Sequence, residues 1–356
     1  MLRSASDEIR AAIAHAEHLD DIRAIPFERF MHLALYGEHG FFTTGRGAGR
    51  RGDFITSPEV GPLFGAVLAR ALDAWWAELG HPDDFTVVDA GAGPGTLARS
   101  IRAASPACLG ALNYVAVELS PTQRALHPEW VRSVDMMPTR PIANGVIIAN
   151  ELLDNLPFRL FVMDGRWLEA HVVARTRDAF EEVLRPAADI DTLGLPARAP
   201  HGARVPVQRS AARWIAESLR LLERGRLLAI DYASATTAGL AMRPWREWLR
   251  TYRFHERSGH YLRDPGTQDI TTEVALDQLF ANVGEPAAVR TQAQFLQHWG
   301  ITELVEEGRR EWTAAAARPT LEAMTMRSRV READALLDPT GLGAFVAIEY
   351  ATGTPP

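Results

Sequence analysis

The sequence contains no lysine, so all 38 basic residues are arginine. Codon bias in a GC-rich genome is the ordinary explanation, and avoidance of lysine near a reactive centre is the functional alternative. Cysteine is almost absent as well. The single Cys108 excludes an intramolecular disulfide and any zinc or redox site built on a CxxC pair. We therefore predict no metal site.

Long apolar runs are also missing. No stretch approaches the ~20 apolar residues that span a membrane, and Asp7 and Glu8 interrupt the region where a secretory signal would have its apolar core. The net charge of -7 leaves no basic excess to neutralise phosphates. We expect a cytoplasmic, soluble protein without a membrane or nucleic-acid partner, and the sequence leaves a homodimer open.

The N-terminal part of the chain reads as helical. Apolar periodicity predicts helices over 7–19, 25–37 and 59–80. Between the last two, residues 40–58 form a glycine-rich and basic segment, and a long loop inside a compact protein is usually functional. We predict an N-terminal helical cap and substrate loop over 1–84.

From residue 85 onward, apolar strands alternate with helices. This pattern is typical of an α/β fold with a parallel sheet that is covered on both faces. We predict such a core over 85–356, with insertions at about 158–207 and 235–285. The first insertion contains alternating residues around Asp164-Gly165, which predicts a β-hairpin.

The stretch "VVDAGAGPGTLARSI" predicts a strand, a glycine turn and a helix that together bind a nucleotide. Its acid and glycines are Asp89, Gly91, Gly93 and Gly95. A dinucleotide site requires a third glycine where Thr96 stands, and Pro94 offers no N–H to a pyrophosphate. The carboxylate of Asp89 would repel a pyrophosphate but could receive an ammonium group. The pattern therefore favours S-adenosylmethionine over NAD, and a purely structural turn is the alternative.

Acidic and amide side chains follow the next two predicted strands. "VAVELSP" places Glu118 at a strand end, where a carboxylate can accept both ribose hydroxyls. "ANELLDNLPF" places Asn150, Glu151 and Asp154 at the edge where open α/β sheets bind ligands. The alternatives are a solvated acid for Glu118, and a helix cap with first-turn acids for the other three.

These motifs together resemble the MidA family of class I S-adenosylmethionine-dependent methyltransferases. The resemblance also covers "GDFITSPEVGPLFG", "LLAIDYA", "DPGTQDITTEVALDQL" and "TQAQFLQHWGI", which extends it along most of the chain. It implies a Rossmann-like, seven-stranded and mostly parallel core with a helical cap and a lid-like insertion. The family includes a mitochondrial protein arginine methyltransferase needed for respiratory complex I assembly, which implies a protein or peptide substrate.

The sequence departs from the family at three places near the expected ligands. Pro94 replaces an arginine between the last two glycines, and Leu152 and Leu153 stand where the family has a large aromatic residue. The family also has an acid near the adenine where this chain offers Arg132. Asp135, three residues later, is the candidate that could replace it.

The resemblance and the residue chemistry predict how an acceptor would be held. Glu151 and Asp154 could bind and orient a guanidinium group. Asp53 and Glu59, from the "GDFITSPE" segment, could close over the site, although Asp53 could instead pair with a neighbouring arginine. His255 is a candidate base for another acceptor, with surface packing as its ordinary role.

The sequence is also compatible with two other functions. The aromatic insertion could line a pocket for a small molecule or a natural-product peptide; its large side chains are Trp245, Trp248, Tyr252, Phe254 and Tyr261. Alternatively, the chain could be an assembly factor that kept the fold and lost turnover. The intact acid, glycines and Glu118 argue against that loss.

Overall fold

The computed structural model describes residues 4–353, except 17, 20–21, 46–55, 177–178, 254–255 and 319. A seven-stranded sheet forms the core. Its strands are β1 Phe85–Ala90, β2 Leu112–Val117, β3 Arg132–Val134, β4 Gly145–Asn150, β5 Gly225–Asp231, β6 Ala288–Thr291 and β7 Val346–Thr352.

The strand order is β6-β7-β5-β4-β1-β2-β3. Strand β7 runs antiparallel to both of its neighbours, and the other adjacent pairs are parallel. The expected seven-stranded, mostly parallel sheet is therefore confirmed. The chain order reverses between β1 and β4, and in open α/β sheets the ligand crevice lies at this reversal, beyond the carboxyl ends of the strands.

Some of the α-helices in the described part of the chain cover the two faces of this sheet, and others pack beside it. They are α1 Ala5–His15, α2 Phe27–Tyr36, α3 Ser57–Val60, α4 Pro62–Glu78, α5 Thr96–Ala103, α6 Pro121–Arg124, α7 Arg209–Leu221, α8 Thr237–Ala241, α9 Leu276–Val283, α10 Gln292–His298, α11 Ile301–Ala315 and α12 Leu321–Leu337. Short 3₁₀ helices occupy Ala107–Gly110, Leu153–Asn155, Ile190–Thr192, Trp245–Glu247 and Leu342–Ala344.

Each face has its own helices. Helices α4, α5 and α10 to α12 pack on one face through a large apolar cluster that includes Phe64, Val87 and Ile148. Helices α7 and α9 cover the other face, where Ile215 and Leu279 are buried. Helix α4, although it precedes residue 85, is therefore a core helix of the sheet layer.

The helix expected over 59–80 is interrupted near its start. The structure divides this region into α3 and α4 at Gly61 because Pro62 has no N–H to continue the first helix. The glycine also allows a close approach, since a Cβ at Gly61 would collide with the carboxylate of Glu332. That carboxylate accepts the N–H of Leu63 at 2.8 Å.

A second, antiparallel sheet lies outside the core. Four of its strands lie in the spatial order Phe180–Arg185, Arg166–Ala174, Arg159–Asp164 and Arg204–Val207. The fifth strand, Ile25–Pro26, pairs with Arg166–Ala174. The hairpin expected at Asp164-Gly165 is confirmed, with Asp164 opposite Arg166. Short strands at His18–Leu19, Ile22–Arg23, Ala233–Ser234, Leu249–Arg253, Glu256–Arg257, Asp269–Thr272 and Val274–Ala275 complete the described structure.

The N-terminal helices and both insertions share one hydrophobic cluster. Phe27 and Phe30 of α2 pack with Phe158 beside the antiparallel sheet. Trp248 and Tyr261, from the second insertion, belong to the same cluster and are almost fully buried. The cap and the insertions thus pack as one body beside the crevice. Within the part of the chain that the structure describes, no helix is both long and apolar enough to cross a bilayer.

Candidate functional site

The glycine turn between β1 and α5 has a backbone that favours glycine. The φ angles of Gly91, Gly93 and Gly95 are 75°, 52° and 76°, a left-handed region that side chains disfavour. The N–H groups of Gly91 and Ala92 both donate to the carbonyl of Val117, at 2.9 and 3.0 Å. The end of β2 therefore fixes the turn at the sheet edge.

Glu118 follows β2 and binds the same turn. Its Oε2 accepts the N–H of Gly93 at 3.0 Å, and its Oε1 accepts the N–H of Ser120 at 2.8 Å. Each oxygen keeps a further lone pair, so the carboxylate can still accept hydroxyl donors. Burial raises the pKa of Glu118, and the two N–H donors counteract that rise.

Asp89 is the last acid of β1 and is only 3% exposed. Its Oδ2 accepts the hydroxyl of Tyr114 at 2.9 Å. Burial raises the pKa of Asp89 to about 7, with the charge of Glu118 adding to the rise and the tyrosine opposing it. A nearby cation would favour the charged carboxylate, which agrees with the predicted contact to an ammonium group.

Glu151 stands directly after β4 in an unusual backbone conformation. Its φ of 52° is left-handed, which is rare for a residue with a side chain. Its N–H donates to the carbonyl of Ile230 at 2.8 Å. Its Oε1 accepts the N–H of Ser57 at 3.3 Å and an amide N–H of Asn150 at 3.1 Å. The conformation directs the carboxylate toward α3 across the crevice.

The environment of Glu151 disfavours its charge. Burial first, and then the neighbouring charge of Asp154, raise the pKa of Glu151 to about 8. The Oδ1 of Asn150 is buried and meets no donor among the described residues. Both side chains therefore have unused capacity for a cationic or hydrogen-bond-donating ligand.

Asp154 lies deeper than Glu151, in the turn after β4. It is 3% exposed, and its Oδ2 accepts the hydroxyl of Thr271. Burial raises the pKa of Asp154 to about 6, and the hydroxyl lowers it. Asp231, at the end of β5, accepts the N–H groups of Leu153 and Asp154 at 2.8 and 3.2 Å. Burial and the charges of Asp154 and Glu151 raise the pKa of Asp231 well above its usual range.

A cavity of about 350 Å³ opens over these strand ends. The side chains that contribute carboxylates to its wall are Glu59, Asp89, Glu118, Asp135 and Glu151. No arginine or histidine belongs to the wall among the residues that the structure describes. The wall thus has one sign of charge and is suited to a cation.

The structure brings most of the predicted site residues to this cavity. Its wall contains the following members of that set: Asp89, Gly91, Gly93, Glu118, Asp135, Asn150 and Glu151. Gly95 and Asp154 lie next to the wall but do not form it. Asp53 and His255 lie outside the described residues.

Several site residues were missed from the sequence. Tyr36, Phe42 and Trp214 line the cavity from α2, from the loop after it and from α7. No local pattern distinguishes them from core aromatics, so only the packing of the cap reveals them. Asp231 could have been found, because "LLAIDYA" ends a buried strand in an acid just as the strands before Glu118 and Glu151 end.

S-adenosylmethionine fits the residues that are present. Its ammonium and sulfonium are cations, its ribose offers two hydroxyl donors, and the wall provides carboxylates for both kinds of group. At Gly93 a Cβ would meet no protein atom within 4 Å, so the space beside the turn is free for a close ligand. Glu118, Asp89 and Asp135, which the sequence predicted for the ribose, the ammonium group and the adenine, all lie in the cavity wall, and their contacts to a cofactor stay predictions.

Comparison with known proteins identifies the family. Residues 67–296 match the model of a family described as "putative S-adenosyl-L-methionine-dependent methyltransferase". The chain belongs to this methyltransferase family. The matched segment contains the glycine turn, Glu118, the acids after β4 and the acid at the end of β5, so it covers the part of the cavity wall that the sheet edge forms.

Two curated relatives of the methyltransferase are mitochondrial proteins. One is the protein arginine methyltransferase NDUFAF7 of Xenopus tropicalis, which is 25% identical over 81% of this chain and 72% of its own length. The other is the NDUFAF7 homolog of Drosophila melanogaster, which is 24% identical over 70% of this chain. The chain spans 64% of the length of that Drosophila relative.

Two solved structures extend the comparison to the whole chain. A crystal structure from Burkholderia thailandensis bound to S-adenosylhomocysteine is 28% identical, with a TM-score of 0.82, and covers 99% of this chain and 92% of that one. A native crystal structure from the same organism is 27% identical, with a TM-score of 0.79 and the same coverage of both chains. The resemblance to the MidA family and the S-adenosylmethionine cofactor predicted from the sequence are therefore confirmed.

Proposed function

We propose that this methyltransferase transfers the methyl group to a guanidinium nitrogen of an arginine in a protein substrate. The observation that carries the proposal is that every charged residue described in the cavity wall is acidic, with the buried Asp154 and Asp231 behind it. The names of the two mitochondrial relatives, which are protein arginine methyltransferases, agree with this choice.

A guanidinium is always charged in proteins, so its transfer into a cavity requires carboxylate partners. Glu151 offers one at the cavity wall. Both described hydrogen bonds to its carboxylate are taken by Oε1, which leaves Oε2 for a substrate. Asp154 and Asp231 are further buried carboxyl groups, close enough to interact electrostatically with Glu151. Burial is the main cause of the raised pKa values of Glu151 and Asp154, and a bound guanidinium would favour their charged forms.

Methyl transfer also requires alignment and a proton acceptor. When bound, S-adenosylmethionine supplies an electrophilic methyl group on its sulfonium. Glu151 would hold the guanidinium by charge-assisted hydrogen bonds, so that one nitrogen is fixed for an in-line displacement. A bound guanidinium favours the ionised form of Glu151, and this carboxylate can then take up the proton that the methylated nitrogen releases.

The segment before α3 would complete the site. Thr56, directly before α3, and Pro58 and Glu59, within α3, already line the cavity, and the N–H of Ser57 binds Glu151. Asp53, three residues before Thr56, stays a prediction as a contact to the acceptor. Such closure would exclude water from the reacting groups.

The test is methyl transfer from labelled S-adenosylmethionine to the proteins of a lysate of the source cell. After acid hydrolysis of the protein fraction, we expect the label in methylarginine. Glu151→Gln removes the charge and keeps the shape, so labelling should fall about tenfold or more while calorimetric affinity for S-adenosylhomocysteine changes little.

The matched control is Glu217→Gln, which removes an exposed carboxylate on α7 and should leave labelling unchanged. Label found mainly in small molecules would contradict a protein acceptor, and label on lysine or histidine would contradict the guanidinium. Undiminished transfer by Glu151→Gln would remove the assigned role of Glu151.

A further inference from the structure

A second cavity, of about 460 Å³, lies in the insertion between β5 and β6. The strands Leu249–Arg253 and Glu256–Arg257, the 3₁₀ helix Trp245–Glu247 and the loop 258–263 form it. Four arginines line it: Arg246, Arg250, Arg257 and Arg263. None of the described lining residues carries a carboxylate. Its charge is thus opposite to that of the cofactor cavity.

Hydrogen bonds hold the walls of this basic cavity. The hydroxyl of Thr251 donates to the carbonyl of Gly259 at 2.8 Å, and the N–H of Ser258 donates to the carbonyl of Thr251 at 2.8 Å. The amide Nε2 of Gln268 donates to the carbonyls of His260 and Arg263, at 3.1 and 2.8 Å. The conformation of the loop 258–263 is therefore fixed by hydrogen bonds to the neighbouring strand and to Gln268.

The four arginines differ in how their charges are compensated. Arg250 donates to Glu273 at 3.0 Å, and the same carboxylate also pairs with Arg243. Arg246 lies 4.2 Å over the ring of Trp245, which orients its guanidinium and leaves its N–H edge available. The described residues place no carboxylate within ion-pair distance of Arg246, Arg257 or Arg263.

This uncompensated charge acts on the neighbouring histidine. Burial lowers the pKa of His260; the charge of Glu182 raises it, and the charges of Arg204, Arg246 and Arg263 lower it. A guanidinium keeps its charge at any physiological pH. The cavity therefore holds a positive field that an oxyanion would neutralise, and the planar N–H donors of arginine suit a carboxylate or a phosphate.

One strand connects the basic cavity to the acids behind the cofactor cavity. Arg250 lies opposite Thr271 in the antiparallel pair, and the hydroxyl of Thr271 donates to Asp154. A cross-strand pair separates Cα atoms by ~5 Å, so Asp154 and the wall at Arg250 are on the order of 10 Å apart. An extended peptide spans that distance in about three residues, and a path over the surface, around the buried Asp154 and Thr271, is longer.

We propose that the basic cavity recognises carboxylate side chains of the methylation substrate, so that the preferred arginine has acidic residues about three to five positions away. This inference rests on the proposed function. The two cavities then bind side chains of opposite charge in one substrate. The cofactor cavity binds the target arginine, and the basic cavity binds the acidic residues that flank it. Specificity arises because a neutral flank leaves the arginines without a partner.

The experiment compares two peptides with one arginine in a glycine and serine background. One carries glutamates three to five residues from the arginine, and the other carries glutamines. For the wild type we expect a KM about tenfold lower for the glutamate peptide with a similar kcat, which corresponds to one or two charge-assisted hydrogen bonds. The double variant Arg246→Gln with Arg263→Gln should lose this preference and keep kcat.

The matched control is Arg198→Gln, an exposed arginine outside the cavity, which should keep the preference. Equal KM values for the two peptides in the wild type would overturn the proposal. So would a preference that survives in the double variant.

A binding measurement separates this inference from the proposed function. A labelled acidic peptide without arginine should bind the wild type and bind the double variant about tenfold more weakly, even if no peptide is methylated. If the two bind it equally, the cavity is not its site. If inorganic phosphate binds the wild type as tightly as the peptide does, the cavity serves free oxyanions and substrate recognition is overturned.

Discussion

Gly93 is the residue at which the cofactor site is most sensitive to an added side chain. Its φ of 52° is left-handed, its N–H binds Glu118, and the space where a Cβ would lie is open. Gly93→Val would place a branched side chain in that space. We expect binding of S-adenosylhomocysteine, measured by calorimetry, to be lost.

The control for this substitution is Gly80→Val. Gly80 also has a left-handed φ, of 85°, and also has open space around its Cβ position, but it lies after α4 and outside the cavity wall. Both variants carry backbone strain, but only Gly93→Val should lose the ligand. Normal affinity in Gly93→Val would contradict the placement of the cofactor beside the turn.

At the scale of an element, Asp231 organises the turn after β4. Asp231→Ala would leave the N–H groups of Leu153 and Asp154 without their acceptor, which costs about 1–3 kcal/mol for each buried group. We expect a lower melting temperature and a lower kcat, because Glu151 and Asp154 depend on this turn. Asp231→Asn keeps an acceptor oxygen and should retain most of both.

Asp277→Ala is the matched control for Asp231→Ala. Asp277 accepts two hydrogen bonds from Thr237, at 2.8 and 2.9 Å, far along the chain from the acids after β4. Its loss should lower stability without lowering kcat per folded molecule. An equal drop of kcat in both variants would show that Asp231 has only a general structural effect.

At the scale of the whole molecule, buried acids link stability to pH. The pKa values of Asp89, Asp154 and Glu151 rise to about 7, 6 and 8 on folding. The folded chain therefore keeps protons that the unfolded chain releases near pH 4. The stability from these protons is fully present below pH ~4 and is lost as the pH rises toward 8.

The expected result is a melting temperature that falls between pH 6 and pH 9 in the absence of ligand. Glu151→Gln cannot ionise at this position, so its melting temperature should fall less over the same range. Glu217→Gln, with its exposed carboxylate, should behave like the wild type. Scanning calorimetry across this range measures the difference, and identical slopes for Glu151→Gln and the wild type would refute the assigned pKa of Glu151.

The sequence alone was sufficient for the features that depend on local pattern. Continuous apolar runs identified the buried parallel strands, and the hairpin at Asp164-Gly165 followed from alternation around a turn. The cavity-wall acids Asp89, Glu118 and Glu151 were found because each follows such a run, and parallel strands bring their carboxyl ends to one edge. Acids that are far apart in the sequence therefore lie together in the cavity wall, because their strands are parallel and in register.

Only the tertiary structure decided which side chains surround that edge. Tyr36 reaches the cavity because α2 packs with the antiparallel sheet, and its hydroxyl donates to the carbonyl of Asn155 at 3.1 Å. In the sequence, Asp154 and Glu151 are both acids that follow the same strand. In the structure, the hydrogen bond from Thr271 holds Asp154 outside the cavity wall. Such contacts join residues more than a hundred positions apart in the sequence. The acids are buried only when those segments have packed, and this burial raises their pKa values.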